Sequence, residues 1–116
     1  LTPADYSDGS ATLRQAERLR GGRGLDPALV RNAFVRPLLA FREVQRALDA
    51  FAAAGAGWAW PSGAGPTIFT WCGHRADAEA IAAHLERVGM RPVVARPFRL
   101  DWEPLAANFA LREVDC

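Results

Sequence analysis

The fold is decided by residues 55–69, whose sequence is Gly-Ala-Gly-Trp-Ala-Trp-Pro-Ser-Gly-Ala-Gly-Pro-Thr-Ile-Phe. Strands are predicted over residues 58–60 and 67–72, because aromatic and β-branched runs bounded by turn residues favour strands. Between them lies a loop of small residues, Ser-Gly-Ala-Gly at positions 62–65, which we name the glycine loop. Its backbone amides are unshielded, and glycine permits the positive φ angles that an anion-binding nest of N–H groups needs.

Amphipathic helices are predicted on both sides of this hairpin. Apolar residues recur every three or four positions over residues 38–54, and Gly55 is expected to end that helix in a left-handed conformation. Residues 77–88 carry one apolar stripe, and Gly89 follows them. Two more helices are predicted upstream: one over residues 13–19 with Ser10 or Thr12 as its cap, and one that Asp26 caps and that ends before Pro37.

The order of these elements predicts an α+β fold. A third, short strand is expected over residues 92–95, where Pro92 precedes two valines. The complete pattern is typical of a ferredoxin-like arrangement, with an antiparallel sheet and helices on one face. The tail contains Phe98, Trp102 and Phe109 and is apolar enough to pack, but it shows no clear period.

The composition of the chain limits the classes of protein to which it can belong. A chain of 116 residues, half of them apolar and 23% charged, predicts one folded domain and argues against disorder. A formal net charge of +1 gives no electrostatic case for binding nucleic acid. Cys72 and Cys116 are predicted to be free thiols, and no apolar run approaches the roughly 18 residues of a membrane span. We therefore expect a soluble, cytoplasmic protein with neither a nucleic-acid nor a membrane partner.

Few side chains suggest chemistry of their own. Ser62 lacks the Gly-x-Ser-x-Gly setting of a hydrolase nucleophile, and His74 and His84 have no metal-ligand spacing around them. Asn32 is predicted to be a solvated helix residue or a local cap, because asparagine bonds readily to neighbouring backbone. The tryptophans at 58, 60 and 71 are expected to pack in the core or against another lobe.

Residues 62–69, Ser-Gly-Ala-Gly-Pro-Thr-Ile-Phe, resemble the third sequence motif of the GHMP kinases (galacto-, homoserine, mevalonate and phosphomevalonate kinases). In that superfamily, Ser-Gly-(Ser/Ala)-Gly-Pro-Thr and an apolar strand lie in the C-terminal lobe beside the nucleotide phosphates. The resemblance implies a ferredoxin-like C-terminal domain and a requirement for ATP and Mg²⁺. It also implies a phosphate-side loop made of five residues, namely Ser62, Gly63, Ala64, Gly65 and Thr67.

The flanking residues refine this resemblance. From Asn32 to about Arg96 the chain is most similar to 4-diphosphocytidyl-2-C-methyl-D-erythritol kinases of the non-mevalonate isoprenoid route, and homoserine kinases are the nearest alternative. Ala33 and Val35 stand where such kinases commonly carry acidic residues in Asn-Asp-Leu-Glu.

The resemblance also implies what the chain lacks. Nothing in it matches the Gly/Ser-rich ATP loop, the lysine or the aspartate of the family's N-terminal lobe, so no catalytic residue is assigned. We expect residues 1–116 to be a fragment that is inactive alone and that works with an N-terminal lobe of the same enzyme and a small-molecule substrate. The alternative is a non-catalytic α+β interaction or regulatory module that carries a glycine-rich hairpin.

Overall fold

The computed structural model describes residues 1–97, and it confirms the predicted α+β class. Two antiparallel strands form one sheet, and helices precede and follow it along the chain. The elements are α1 (Ser10–Arg20), α2 (Val35–Leu38), α3 (Arg42–Ala53), β1 (Trp60–Pro61), β2 (Ile68–Phe69) and α4 (Arg75–Arg87), with single 3₁₀ turns at Pro3–Asp5 and Pro27–Leu29. The predicted packing of Phe98, Trp102 and Phe109 falls outside the described residues.

Glycines end the two long helices as predicted. Gly55 follows α3 with a φ of 89°, and Gly89 follows α4 with a φ of 87°. At the end of α3 the N–H of Ala56 donates to the carbonyl of Phe51 at 3.0 Å, and Met90 donates to Leu85 at 3.0 Å at the end of α4. These are the bonds that close a helix whose chain reverses through a left-handed residue.

The predicted helix starts need correction. Neither Ser10 nor Thr12 caps α1, because Gly9 occupies the cap position and the Asp8 carboxylate accepts the N–H of Ser10 at 2.9 Å. The Asp26 cap is confirmed, since its carboxylate accepts the N–H of Ala28 at 3.0 Å. The helix predicted behind this cap is wrong, because a single 3₁₀ turn forms there and the chain becomes extended at Val30.

The helix predicted over residues 38–54 starts later than its apolar period indicates, since α3 begins at Arg42. Leu38 ends the short helix α2, and the chain is extended at Phe41, with φ −90° and ψ 127°, before α3 begins. The side-chain amide of Gln45 donates to the carbonyl of Leu39 at 2.5 Å. This bond satisfies the Leu39 carbonyl, which a continuous helix would have paired with a backbone N–H.

The two strands are antiparallel neighbours, as predicted, but shorter than predicted. Trp60 is opposite Phe69 and Pro61 is opposite Ile68. Beyond this ladder the Trp58 and Phe69 rings meet edge to face, with centroids 5.6 Å apart. The hydroxyl of Thr70 donates to the carbonyl of Trp58 at 2.5 Å and holds that end of the hairpin.

The predicted third strand is absent from the described part of the chain. Residues 92–95 form no ladder with β1 or β2. Pro92 has no N–H to donate to a ladder, and Val93 is 87% exposed.

The core of the described residues is small. Its buried residues are Ala11 in α1, Pro61 in β1, and Ile81 and Leu85 in α4, and α4 packs against α3. Several large apolar side chains remain in contact with solvent, among them Phe41 at 57% and Trp71 at 43% exposure. Trp58 and Trp60 are half-buried while Trp71 is exposed, and packing of these rings against another lobe stays a prediction.

The N-terminal segment is held on α2 by one ion pair. The guanidinium of Arg36 donates to both oxygens of the Asp5 carboxylate, at 2.6 and 2.7 Å. The Asp5 side chain is 5% exposed, while that of Arg36 is 64% exposed. Hydrogen bonds from Arg36, and then from the backbone of Thr2, hold the pKa of Asp5 well below its ordinary value.

Candidate functional site

The glycine loop is a tight turn closed by its own backbone. The N–H of Ser62 donates to the carbonyl of Thr67 at 2.8 Å, and the N–H of Gly65 donates to the carbonyl of Ser62 at 2.9 Å. Gly63 and Gly65 have φ angles of 53° and 75°. These left-handed angles are the conformation that the two glycines were predicted to supply, and a β-branched residue would be strained in either position.

Two backbone donors of the loop, at Gly63 and Ala64, find no partner within the described residues. Within residues 1–97, neither the N–H of Gly63 nor that of Ala64 donates to a protein oxygen. Ser62, Gly63 and Ala64 are all exposed, and nothing lies within 4 Å of the position where a Cβ on Gly63 would stand. Successive unpaired N–H groups on an open glycine turn are the components of an anion site built from backbone.

Asn32 holds the other side of the loop. Its side-chain amide donates to the carbonyl of Pro61 at 2.9 Å and to that of Gly63 at 2.8 Å. Its side-chain oxygen accepts the N–H of Phe34 at 2.9 Å, which is the local turn that asparagine commonly makes. The prediction of a merely solvated or locally capping Asn32 is therefore incomplete, because a half-buried side chain joins two segments about 30 residues apart.

Leu38 of α2 supports the loop from the same direction. A Cβ on Gly65 would stand 3.4 Å from the Cδ2 of Leu38 and 3.7 Å from its Cδ1. The backbone of Gly65 therefore approaches α2 closely, and the loop rests on Leu38 and Asn32 rather than projecting freely.

The structure brings all five predicted site residues together. Ser62, Gly63, Ala64 and Gly65 form the turn, and Thr67 closes it through its carbonyl. Asn32, which donates to this loop, is a residue that the sequence prediction of the site did not include. The only trace of its role in the sequence is its position at the start of Asn-Ala-Phe-Val, within the segment similar to GHMP kinases.

Other candidate groups offer less chemistry. Burial, and then the charge of Asp77, raises the pKa of the Cys72 thiol, so this thiol is a poor nucleophile at neutral pH. Among residues 1–97, no three His, Cys, Asp or Glu side chains come together as a metal site. None of the described helices has the length and apolar character needed to cross a bilayer. A cavity of about 290 Å³ lies beside α4 and is lined by Gly55, Trp71 and Asp77, away from the glycine loop.

The described chain is an α+β unit, and its exposed glycine turn rests on the upstream helix α2. Residues 22–89 match the family model described as GHMP kinases C terminal. The match covers more than half of the 116 residues, and the chain belongs to this family. It includes the glycine loop, Asn32 and all elements from α2 to α4. Neither a curated protein nor a solved structure matches the chain. GHMP kinases generally use ATP as the phosphoryl donor.

Proposed function

We propose that this chain is the C-terminal lobe of an ATP-dependent GHMP-type kinase, in which the glycine loop lies beside the nucleotide phosphates. The observation that carries the proposal is the pair of exposed N–H groups at Gly63 and Ala64, which have no protein partner among residues 1–97, in a chain of this family. Phosphoryl transfer needs charge stabilisation and positioning more than covalent chemistry, and backbone donors supply both.

The residues present fit a nucleotide phosphate. Gly63 has no side chain, and the space where one would stand is open, so phosphate oxygens have access to its N–H and to that of Ala64. When bound, ATP supplies the phosphoryl group. The residues of this chain bind and orient it: the loop donates hydrogen bonds to phosphate oxygens, and Ser62 and Thr67 keep the loop closed. Mg²⁺ is part of the proposal because it would accompany the ATP phosphates.

The proposed acceptor is 4-diphosphocytidyl-2-C-methyl-D-erythritol, which would place the enzyme in non-mevalonate isoprenoid biosynthesis. Homoserine is the alternative acceptor. The support is the similarity of the residues flanking the loop, from Asn32 to about Arg96. A cytoplasmic location, without nucleic-acid or membrane partners, completes this proposal.

The proposed partner is the N-terminal lobe of the same enzyme. Two observations support it: the family model is that of a C-terminal domain, and large apolar side chains, including Phe41 and Trp71, are exposed. Facing lobes commonly cover such surfaces. The lobe would supply the groups opposite the glycine loop, and residues 1–116 alone would have no kinase activity.

The first experiment tests phosphate binding. The ¹⁵N-labelled chain is titrated with ATP, and its assigned amide resonances are followed by NMR. The Gly63 and Ala64 amides should shift together and saturate, while the amide of Gly22, also in a left-handed turn, should not move. Saturating shifts that spare the glycine loop would refute the phosphate-side assignment.

The second experiment tests catalysis. The reading frame that contains this chain is expressed whole and is incubated with ATP, Mg²⁺ and either 4-diphosphocytidyl-2-C-methyl-D-erythritol or homoserine, and ADP release is followed. The whole protein should turn over with one acceptor, and residues 1–116 with neither. Turnover by the 116-residue chain would place the catalytic groups within it. A whole protein that neither binds nor hydrolyses ATP would favour the non-catalytic interaction module.

A further inference from the structure

We infer that Asn32 is a positioning residue, which turns the Gly63–Ala64 peptide so that the N–H of Ala64 faces the phosphate. The inference rests on the proposed function of the glycine loop and assigns the part of the chain that gives the loop its direction. Asn32 itself does not contact the anion, because its amide hydrogens are engaged by the carbonyls of Pro61 and Gly63.

The geometry of a trans peptide sets the direction of the Ala64 donor. The carbonyl of Gly63 and the N–H of Ala64 belong to one planar trans peptide, so they point in opposite directions. The hydrogen bond from Asn32 to the Gly63 carbonyl, at 2.8 Å, directs that carbonyl toward Asn32. The N–H of Ala64 must then point away from Asn32, on a residue that is exposed.

The Pro61–Ser62 peptide also has its carbonyl and its N–H pointing in opposite directions, but its N–H is engaged within the protein. The second bond of Asn32, at 2.9 Å, directs the carbonyl of Pro61 inward, so the N–H of Ser62 points the other way. That N–H donates to Thr67 at 2.8 Å and closes the hairpin. One side chain therefore orients two peptides, of which one holds the loop together and the other presents a donor with no partner in the described part of the chain.

The hydrogen bond from Asn32 also makes the Ala64 N–H a stronger donor. A carbonyl that accepts a hydrogen bond strengthens the N–H of its own peptide as a donor, because hydrogen bonds in a chain polarise one another. The amide of Asn32 thus makes Ala64 a better donor as well as a directed one. Loss of the Asn32 amide leaves a flexible turn in which the Gly63–Ala64 peptide is free to rotate.

The test compares three variants of the 116-residue chain, with inorganic tripolyphosphate as the probe and the Ala64 amide shift as the readout. Asn32→Ser keeps an oxygen for the N–H of Phe34 but is too short to reach the loop. Asn32→Leu removes both functions. Gln15→Met is the matched control, because Gln15 makes a similar pair of side-chain to backbone bonds with Asp26, both at 3.0 Å and away from the loop.

Asn32→Ser and Asn32→Leu should each weaken tripolyphosphate binding by about 3- to 10-fold, as expected for one misplaced donor, and Gln15→Met should leave it unchanged. If the Asn32 variants bind like the wild type, the positioning role is refuted while the proposed loop function stands. If the wild type itself does not bind at the loop, the proposed function fails first. An equal loss in Gln15→Met would assign the effect to stability and refute positioning.

A measurement on the unchanged chain needs no variant. Without ligand, the amide hydrogen of Ser62 should be protected from exchange with solvent, and that of Ala64 should exchange freely. Protection of Ala64 at the level of Ser62 would overturn the inference, since this N–H would then be engaged within the protein.

Discussion

Replacing Gly63 with alanine tests two effects of the glycine loop, one on the free energy of unfolding and one on ATP binding. Gly63 has a φ of 53°, and a side chain in the left-handed region costs about 1–2 kcal/mol. The lower entropy of the unfolded chain offsets about 0.4–1 kcal/mol of this. The new methyl group adds no clash, because nothing lies within 4 Å of it. We therefore expect Gly63→Ala to lower the free energy of unfolding by about 1 kcal/mol.

Gly22→Ala is the matched control for this substitution. Gly22 has a φ of 71° and equally open space around the position of a Cβ, but it lies in the turn after α1. Its backbone cost should equal that of Gly63→Ala in urea unfolding. Valine is a worse probe at Gly63, because a β-branched residue with positive φ is strongly strained and would disturb the fold as well as the site.

The two variants should differ in ligand binding. A methyl group on Gly63 stands beside the N–H groups that we assign to the phosphate, so Gly63→Ala should weaken ATP binding about 10-fold, as for the loss of one or two hydrogen bonds. Gly22→Ala should bind ATP normally. The amide NMR titration gives both affinities. Normal ATP affinity in Gly63→Ala, together with the expected loss of stability, would refute our assignment of this loop to the phosphates.

Other predictions concern stability. Leu85 is 3% exposed, so Leu85→Ala should lower the free energy of unfolding in urea by about 2–5 kcal/mol, whereas Leu13→Ala, at a residue 67% exposed, should change it by less than about 0.5 kcal/mol. Equal effects would contradict the position of the core. Because bonds from Arg36 lower the pKa of Asp5 in the folded chain, this carboxylate stabilises the fold above its ordinary pKa, and the contribution is lost as the pH falls below about 4. Arg36→Gln should raise the pKa of Asp5 in an NMR titration and reduce that acid sensitivity, and an unchanged Asp5 titration would contradict the ion pair.

Features of the fold that depend on local signals were predictable from the sequence. Gly55 and Gly89 end helices because no other residue adopts left-handed φ so readily, and their positions behind apolar stripes are visible in the sequence. The hairpin was predictable because apolar residues flank a glycine-rich turn. The antiparallel pairing of Trp60 with Phe69 follows from that arrangement.

Features that depend on distant contacts were not predictable. The apolar period continues through Leu38 into α3, but the break at Phe41 is stabilised by a side-chain bond from Gln45 that periodicity does not reveal. A strand over residues 92–95 has the right composition, yet a strand also needs a partner edge. Asn32 has a common local role with Phe34, and its second role depends on carbonyls 29 and 31 residues away.

The two bonds of Asn32 have a consequence for the order in which the loop is completed during folding. The hairpin from β1 to β2 is local and forms on the microsecond scale of such elements, roughly 1–10 μs. The bonds from Asn32 span 29 and 31 residues, and long-range contacts of this kind form later because closing the chain costs entropy. In any chain whose hairpin has formed before Asn32 docks, the Ala64 donor is not yet directed. Under the proposed function, phosphate binding would then report docking of the Asn32 segment as well as formation of the turn, and a bound nucleotide would stabilise the docked chain by mass action.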